Sequence, residues 1–134
     1  MTMKSQISKL IPFSCIIFTA KSAFAEDCAN RPNEQALREC LSLEYERADS
    51  DMSLLYKRVL SELPSDRKSG MIESQRAWIK FRDAACAFVG DDRKGGSSQG
   101  WVIAICKTQI TEERTIHLKK QIDCRRDGQD CSTY

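Results

Sequence analysis

The sequence predicts an all-α fold, an antiparallel bundle of three helices stapled by disulfides. Three observations predict it: apolar residues recur at steps of three and four over long stretches, one glycine-rich segment separates two such stretches, and no strand-like alternation persists. The 134 residues also favour a single domain, because a chain of this length rarely holds two cores.

Residues 1–25 read as a signal peptide. Lys4 and Lys9 give a basic start, Leu10 to Ala20 is apolar, and Ala23-Phe24-Ala25 has the small-x-small form of a cleavage site. The apolar run is too short to anchor the protein in a bilayer. The prediction is therefore cleavage near Ala25, no stable membrane anchor, and a single mature domain over residues 26–134 that is periplasmic or secreted.

The charge balance changes once this leader is set aside. The whole chain carries 21 basic and 19 acidic side chains, for a net charge of +2, but three of the lysines lie in the leader. The mature chain is then close to −1, which removes the main argument for nucleic-acid binding.

The first helix of the bundle is predicted from Asn33, a suitable N-cap, to the stop at Pro64-Ser65-Asp66. One stripe of this helix holds the apolar residues Leu37, Leu41, Tyr45, Ala48, Met52, Leu55, Val59 and Leu63.

A second helix is predicted from Ser65 or Asp66 to about Val89. The stripe assigned to its inner face is Met71, Ile72, Trp78, Phe81, Ala85 and Phe88. Residues 90–100 contain four glycines and four charges and are the predicted loop.

A third helix is predicted from Trp101 to about Lys120, followed by a polar tail over residues 121–134. The residues expected to face partly inward are Val102, Ile105, Cys106, Gln109, Ile110 and Ile116.

Six cysteines remain in the mature chain, an even number in a protein routed out of the cytoplasm, which favours disulfides. An antiparallel hairpin places Cys86 and Cys106 level with each other, so their pairing is predicted. The other two predicted pairs are local, Cys28 with Cys40 and Cys124 with Cys131. Six cysteines allow fifteen connectivities, so other pairings stay open at this point. No short-spaced cysteine pair exists and His117 is the one histidine, so no metal site is predicted.

No catalytic residues or cofactor are predicted. His117 has no serine or glycine elbow around it, and the glycines at 95 and 96 lack the lysine and preceding strand of a phosphate loop. A histidine near a helix C-terminus is more typical of a favourable interaction with the helix dipole.

A polar group is predicted on the second helix around Trp78. Gln75, Trp78 and Arg82 share one face, and polar side chains on a buried face need partners. The candidates on neighbouring helices are Asp49, Asp51 and Arg114. The favoured interpretation is a structural network that sets helix register, and the alternative is a ligand site.

The same region resembles a known family. The residues that carry the resemblance are Asp27-Cys28, Cys40, Tyr45, Asp49, Leu54-Leu55-Tyr56, Gln75-Arg76-Ala77-Trp78-Ile79, Phe81-Arg82-Asp83-Ala84, Cys86, Gly95-Gly96-Ser97, Cys106, Thr111 and Arg114. They are similar to the lysozyme inhibitor LprI-like N-terminal domain family, from Asp27 to about Leu118. Two departures are the additional Cys124 and Cys131 and the serine beside Leu54, where a Leu-Asn pair is expected.

The resemblance implies a small helical envelope protein that binds and blocks a c-type lysozyme. The basic and hydroxyl groups of the loop suggest a contact through Arg93, Lys94, Ser97 and Ser98, although a plain solvent-exposed connector is the favoured interpretation of this segment. The structural polar core predicted around Trp78 comprises Gln75, Trp78, Arg82, Asp83 and Arg114. A different class of function, a helical interaction module or an immunity-type protein of the periplasm with a non-lysozyme partner, stays open.

Overall fold

The computed structural model describes residues 28–129 and residue 131. Within that part, helix α1 spans Glu34–Glu62, α2 spans Ser65–Asp91 and α3 spans Gln99–Arg126. Two contacts for each helix pair show that consecutive helices are antiparallel. From Gln75 to Arg82 along α2, the partner on α1 moves back from Met52 to Asp49. From Gln75 to Asp83, the partner on α3 moves back from Arg114 to Lys107. The predicted all-α three-helix bundle is confirmed.

Local chemistry sets the first two helix boundaries. The Asn33 side chain accepts a hydrogen bond from the Ala36 backbone N–H at 2.9 Å and so caps α1. Leu63 leaves the helical conformation, and Pro64 then supplies the fixed backbone at the entry to α2. Two residues are thus enough to reverse the chain between two long helices.

The third helix forms the spine of the bundle. It packs closely along α1 and over a shorter length against α2, whereas α1 and α2 come close together at few positions. The apolar core is therefore built mainly between α1 and the C-terminal half of α3, from Met52, Val59, Leu63, Leu118 and Ile122. Leu55, Tyr56, Met71 and Trp78 pack against it. The apolar stripe predicted for α1 is the face that is buried.

The predicted end of the third helix is wrong. The helix continues to Arg126 instead of ending near Lys120, and it begins at Gln99 instead of Trp101. Ile122 and Cys124 are buried in this last part. Their packing stabilises the helical conformation of a segment that the sequence predicted to be a polar tail.

The inner face predicted for α2 is also partly wrong. Phe81 and Phe88 are 62% and 78% exposed, while the residues buried on this helix are Gln75, Arg82, Cys86 and Gly90. The disulfide at Cys86 and the contacts of Arg82 direct that more polar face inward. Gln109 and Ile116 of α3, also expected to face partly inward, are exposed, Ile116 by 55%.

Three disulfides join the pairs that the spacing predicts: Cys28–Cys40, Cys86–Cys106 and Cys124–Cys131. Their Cα–Cα distances, 5.6 to 5.7 Å, are ordinary for such bonds. Disulfides persist in oxidising compartments, which favours an extracytoplasmic protein. The proposed signal peptide, residues 1–25, lies outside the described residues and stays a prediction.

None of the helices in the described part of the chain combines the length and apolar character needed to cross a membrane.

Candidate functional site

Arg82 lies at the centre of a polar cluster between the three helices. Its Nη1 donates to the Asp49 carboxylate of α1 at 2.8 Å, and its Nε donates to Asp83 at 3.1 Å. A longer contact of 3.5 Å reaches the Thr111 hydroxyl of α3. The Arg82 side chain is only 7% exposed, whereas both carboxylates are more than 40% exposed. One buried guanidinium therefore connects all three helices while its counter-charges remain hydrated.

The pKa directions in this cluster follow from these contacts. Burial by itself would lower the pKa of Arg82, but the hydrogen bonds to Asp49 and Asp83 outweigh it and the pKa is raised. For Asp83, burial acts to raise the pKa, and the hydrogen bonds from Lys107 and Arg82 more than offset it, so the pKa is lowered. Both groups are thus held in their charged forms.

A second chain of contacts runs from Gln75. Its amide nitrogen donates to the Met52 sulfur at 3.0 Å, and its amide oxygen accepts from Arg114 Nε at 3.1 Å. Burial lowers the pKa of Arg114. Arg114 Nη2 is a buried donor with no hydrogen-bond partner in the described part of the chain. Gln75 of α2 therefore bridges the Met52 sulfur of α1 and the Arg114 guanidinium of α3.

Aromatic rings alternate with cations through this cluster. The guanidinium carbons of Arg82 and Arg114 lie 5.2 and 5.7 Å from the Trp78 ring centre. Arg82 is also 5.4 Å from the Tyr45 ring, which Lys107 approaches at 5.8 Å. All four distances are within the range of cation–π attraction.

The structure thus brings together the five residues expected to form a polar core: Gln75, Trp78, Arg82, Asp83 and Arg114. Of the two acidic partners considered, Asp49 is in contact and Asp51 is exposed on another side of α1. The pattern favours a scaffold: Arg82 and Asp83 are matched by opposite charges. Arg114 instead contacts the Gln75 amide and the Trp78 ring, and one of its nitrogens has no partner among the described residues.

Sequence reasoning missed Lys107 and Thr111 as members of this cluster. Both lie on α3 four residues apart, and Lys107 is 3.1 Å from Asp83. The signal available was this spacing, since Lys107, Thr111 and Arg114 fall on one face of a helix. Tyr45 was placed on the inner stripe, but its role as a ring between two cations follows only from the distances.

The loop between α2 and α3 is shorter than predicted, residues 92–98, and it is a series of turns. Backbone N–H groups of Arg93, Lys94 and Gly96 donate to carbonyls three residues earlier. Gly95 has a φ of 77°, a conformation that side chains with a Cβ rarely adopt. The loop is therefore a folded tip of the bundle.

Contacts at both ends hold this tip in place. The Cys86–Cys106 disulfide joins the two helices just below it. Gly90 lies against Ile103, and a Cβ at residue 90 would come within 2.5 Å of that side chain. The close approach of α2 and α3 therefore depends on glycine at this position.

The four loop residues singled out in the sequence have different environments. Arg93 and Lys94 are exposed and form no ion pair with another described residue. Ser97 is exposed near Glu34 at the start of α1. The pKa of Glu34 is lowered, first by its bond with Arg38 and then by the nearby Ser97 hydroxyl. Ser98 is half-buried at the start of α3. The two cations are free to meet a partner.

Within the described residues, no group of three or more histidine, cysteine, aspartate or glutamate side chains could hold a metal ion. His117, the candidate considered for catalysis, is exposed on α3. Because α3 continues to Arg126, His117 lies before the last turn, and the expected interaction with the helix C-terminus is wrong.

Comparison with known proteins gives one family and one curated relative. Residues 26–118 match the family model described as lysozyme inhibitor LprI. A protein of Rhizobium meliloti (strain 1021), described as uncharacterized, is 27% identical over 110 residues, which is 72% of this chain and 79% of the relative. No solved structure matches the chain.

Proposed function

The chain belongs to the family of the lysozyme inhibitor LprI, and from that premise we propose that it is an exported inhibitor that binds a c-type lysozyme and blocks its cleft. The observation that carries the proposal is the extent of the family match, which runs over residues 26–118 and so includes all of α1, α2 and the loop. The three disulfides support an oxidising location such as the periplasm. The protein would act by binding, without chemistry of its own.

The folded tip is the surface proposed to contact the enzyme. Lysozymes hydrolyse glycosides with a pair of carboxyl groups in an open cleft. Arg93 and Lys94 place two unpaired cations at the end of a narrow bundle, where they can reach such carboxylates. A cation beside the catalytic acid would lower its pKa, and the acid would lose the proton it must donate.

The rigidity of the tip supports the same role. Its backbone hydrogen bonds and the Cys86–Cys106 disulfide order it before any partner arrives. A preordered loop loses less conformational entropy on binding than a flexible one. Ser97 and Ser98 belong to the proposed contact because their hydroxyl groups can donate to a carboxylate of the enzyme.

The proposal is tested by the lysis of a bacterial suspension with lysozyme, measured with increasing amounts of the mature protein. We expect inhibition that saturates near one inhibitor per enzyme. An unchanged lysis rate at large molar excess would refute lysozyme inhibition.

The contact surface is tested by a charge reversal and a matched control. Arg93→Glu with Lys94→Glu should weaken inhibition about tenfold or more, because two attractive contacts become repulsive. The control is Lys57→Glu with Arg76→Glu, which makes the same change in net charge at exposed sites on α1 and α2. Equal loss in both variants would exclude the tip as the contact and leave only a general charge effect.

A further inference from the structure

An apolar stripe lies on the outer face of α2. It consists of Phe81, Ala84, Ala85 and Phe88, spaced i, i+3, i+4 and i+7, so the four residues share one side of the helix. The two phenylalanines are the most exposed large apolar side chains of α2. The buried face of the helix, with Gln75, Arg82 and Cys86, is directed elsewhere. The stripe therefore plays no part in the core of the bundle.

The order of residues in the stripe is the same in both directions. Read forward or backward it is phenylalanine, two residues, two alanines, two residues, phenylalanine. When two copies of this helix pack antiparallel about a two-fold axis between Ala84 and Ala85, each Phe81 lies opposite Phe88 of the second copy. The alanines at the centre allow the helices to approach closely, and the aromatic rings close the contact on either side.

The charges beside the stripe fit the same arrangement. Lys80 and Asp91 are eleven residues apart, about three helical turns, so they lie on the same flank of α2. In an antiparallel pair the same flanks of both helices face each other. Measured along the helix axis, Lys80 of one copy is then offset from Asp91 of the other copy by only about 3 Å. The two-fold axis produces this pair of opposite charges twice.

We propose that the chain forms a two-fold symmetric homodimer through the stripe Phe81, Ala84, Ala85 and Phe88 of α2, with Lys80 and Asp91 paired across the interface. The four phenylalanines of two copies would remove roughly 550 Å² from water. That is nearly half of the ~1,200 Å² at which specific interfaces begin. Val89 and the flanking charged side chains add to it, so the dimer should be weak, with a dissociation constant in the micromolar range.

Sedimentation velocity of the mature protein, from about 5 to 500 μM, tests the proposal. We expect the sedimentation coefficient to rise from that of a monomer to that of a dimer. Phe81→Ser with Phe88→Ser should raise the dissociation constant about a hundredfold or more, since every apolar anchor is lost. The matched control is Leu43→Ser with Leu54→Ser on α1, where the side chains are similarly exposed. It should leave the dissociation constant unchanged.

A charge exchange tests the orientation of the two helices. Lys80→Glu should weaken the dimer about fivefold, and adding Asp91→Lys to it should restore the wild-type constant. A wild-type chain that stays monomeric throughout the range would overturn the proposal, as would a dimer that both phenylalanine substitutions leave intact. A monomer that binds phospholipid vesicles through Phe81 and Phe88 would also overturn it and assign the stripe to a membrane surface. A restored sedimentation profile in the doubly exchanged variant supports the antiparallel two-fold arrangement.

Discussion

Replacing Arg82 by methionine tests whether the polar cluster stabilises the bundle. Methionine keeps a long, flexible side chain and removes the guanidinium. The substitution therefore leaves only a small cavity, and the stabilisation that is lost is mainly electrostatic. The substitution breaks the hydrogen bonds to Asp49 and Asp83 and two cation–π contacts, with Trp78 and Tyr45.

The magnitude follows from the exposure of the partners. A buried ion pair that loses one member costs about 3–5 kcal/mol. Here both carboxylates are more than 40% exposed and water can replace the lost contact, so the loss of each hydrogen bond should cost only about 0.5–1 kcal/mol. The two cation–π contacts add about 0.5–1 kcal/mol each. The free energy of unfolding should therefore fall by about 2–4 kcal/mol.

Urea denaturation followed by circular dichroism measures this loss. Arg76→Met is the control, because Arg76 lies six residues earlier on α2 and is exposed; it should change the free energy of unfolding by less than about 0.5 kcal/mol. The loss of unfolding free energy for Arg82→Lys should lie between those of Arg82→Met and Arg76→Met, because lysine keeps the charge but cannot bind two carboxylates as a planar guanidinium does. A value for Arg82→Met equal to that of the control would refute the assignment of Arg82 as the link between the helices.

Three further predictions concern the scaffold. Gly90→Ala should destabilise the protein by about 1–2 kcal/mol, because the new Cβ meets Ile103. Gly70→Ala, which has open space around it, should stabilise the protein by about 0.5–1 kcal/mol. A thermal melt in which Gly90→Ala is at least as stable as Gly70→Ala would contradict this packing. Replacing both cysteines of the α2–α3 disulfide by serine should cost about 3 kcal/mol in urea denaturation, about 1 kcal/mol more than the same change at the C-terminal disulfide, whose loop is shorter. The pKa of Asp83 is lowered in the folded state, so its contribution is present above the unfolded value of about 3.9 and is lost as pH falls through the folded value. Urea midpoints from pH 6 to pH 3 should therefore converge for the wild type and Asp83→Asn, and a constant difference would contradict this.

The fold was largely predictable because its signals are local. The helical steps of α1, the stop at Pro64 and the glycines of the loop each act within a few residues. The three disulfide pairs also followed, since two join near neighbours in sequence and the third is set by the antiparallel hairpin.

The predictions were wrong where tertiary contacts outweigh the periodicity of apolar residues. α2 carries one apolar stripe and one mixed polar and apolar stripe, and hydrophobicity alone favoured the apolar stripe, with Phe81 and Phe88, for the core. The helix instead turns inward the face that holds Arg82 and Cys86, because Arg82 binds Asp49 of α1 and Cys86 is bonded to Cys106 of α3. At the end of α3, Ile122 gains burial against the core, and the helix continues through a polar segment.

The sequence by itself determined the class of the fold and the family, and it favoured the three disulfide pairs that the structure confirms. It also placed in one group the polar residues around Trp78. Only the tertiary structure decided which face of α2 meets the other helices, that Lys107 and Thr111 join the cluster around Arg82, and that Phe81 and Phe88 lie outside. The physical reason is that periodicity and spacing report interactions within one helix, whereas the rotation of a helix depends on charges, sulfurs and rings supplied by the other two.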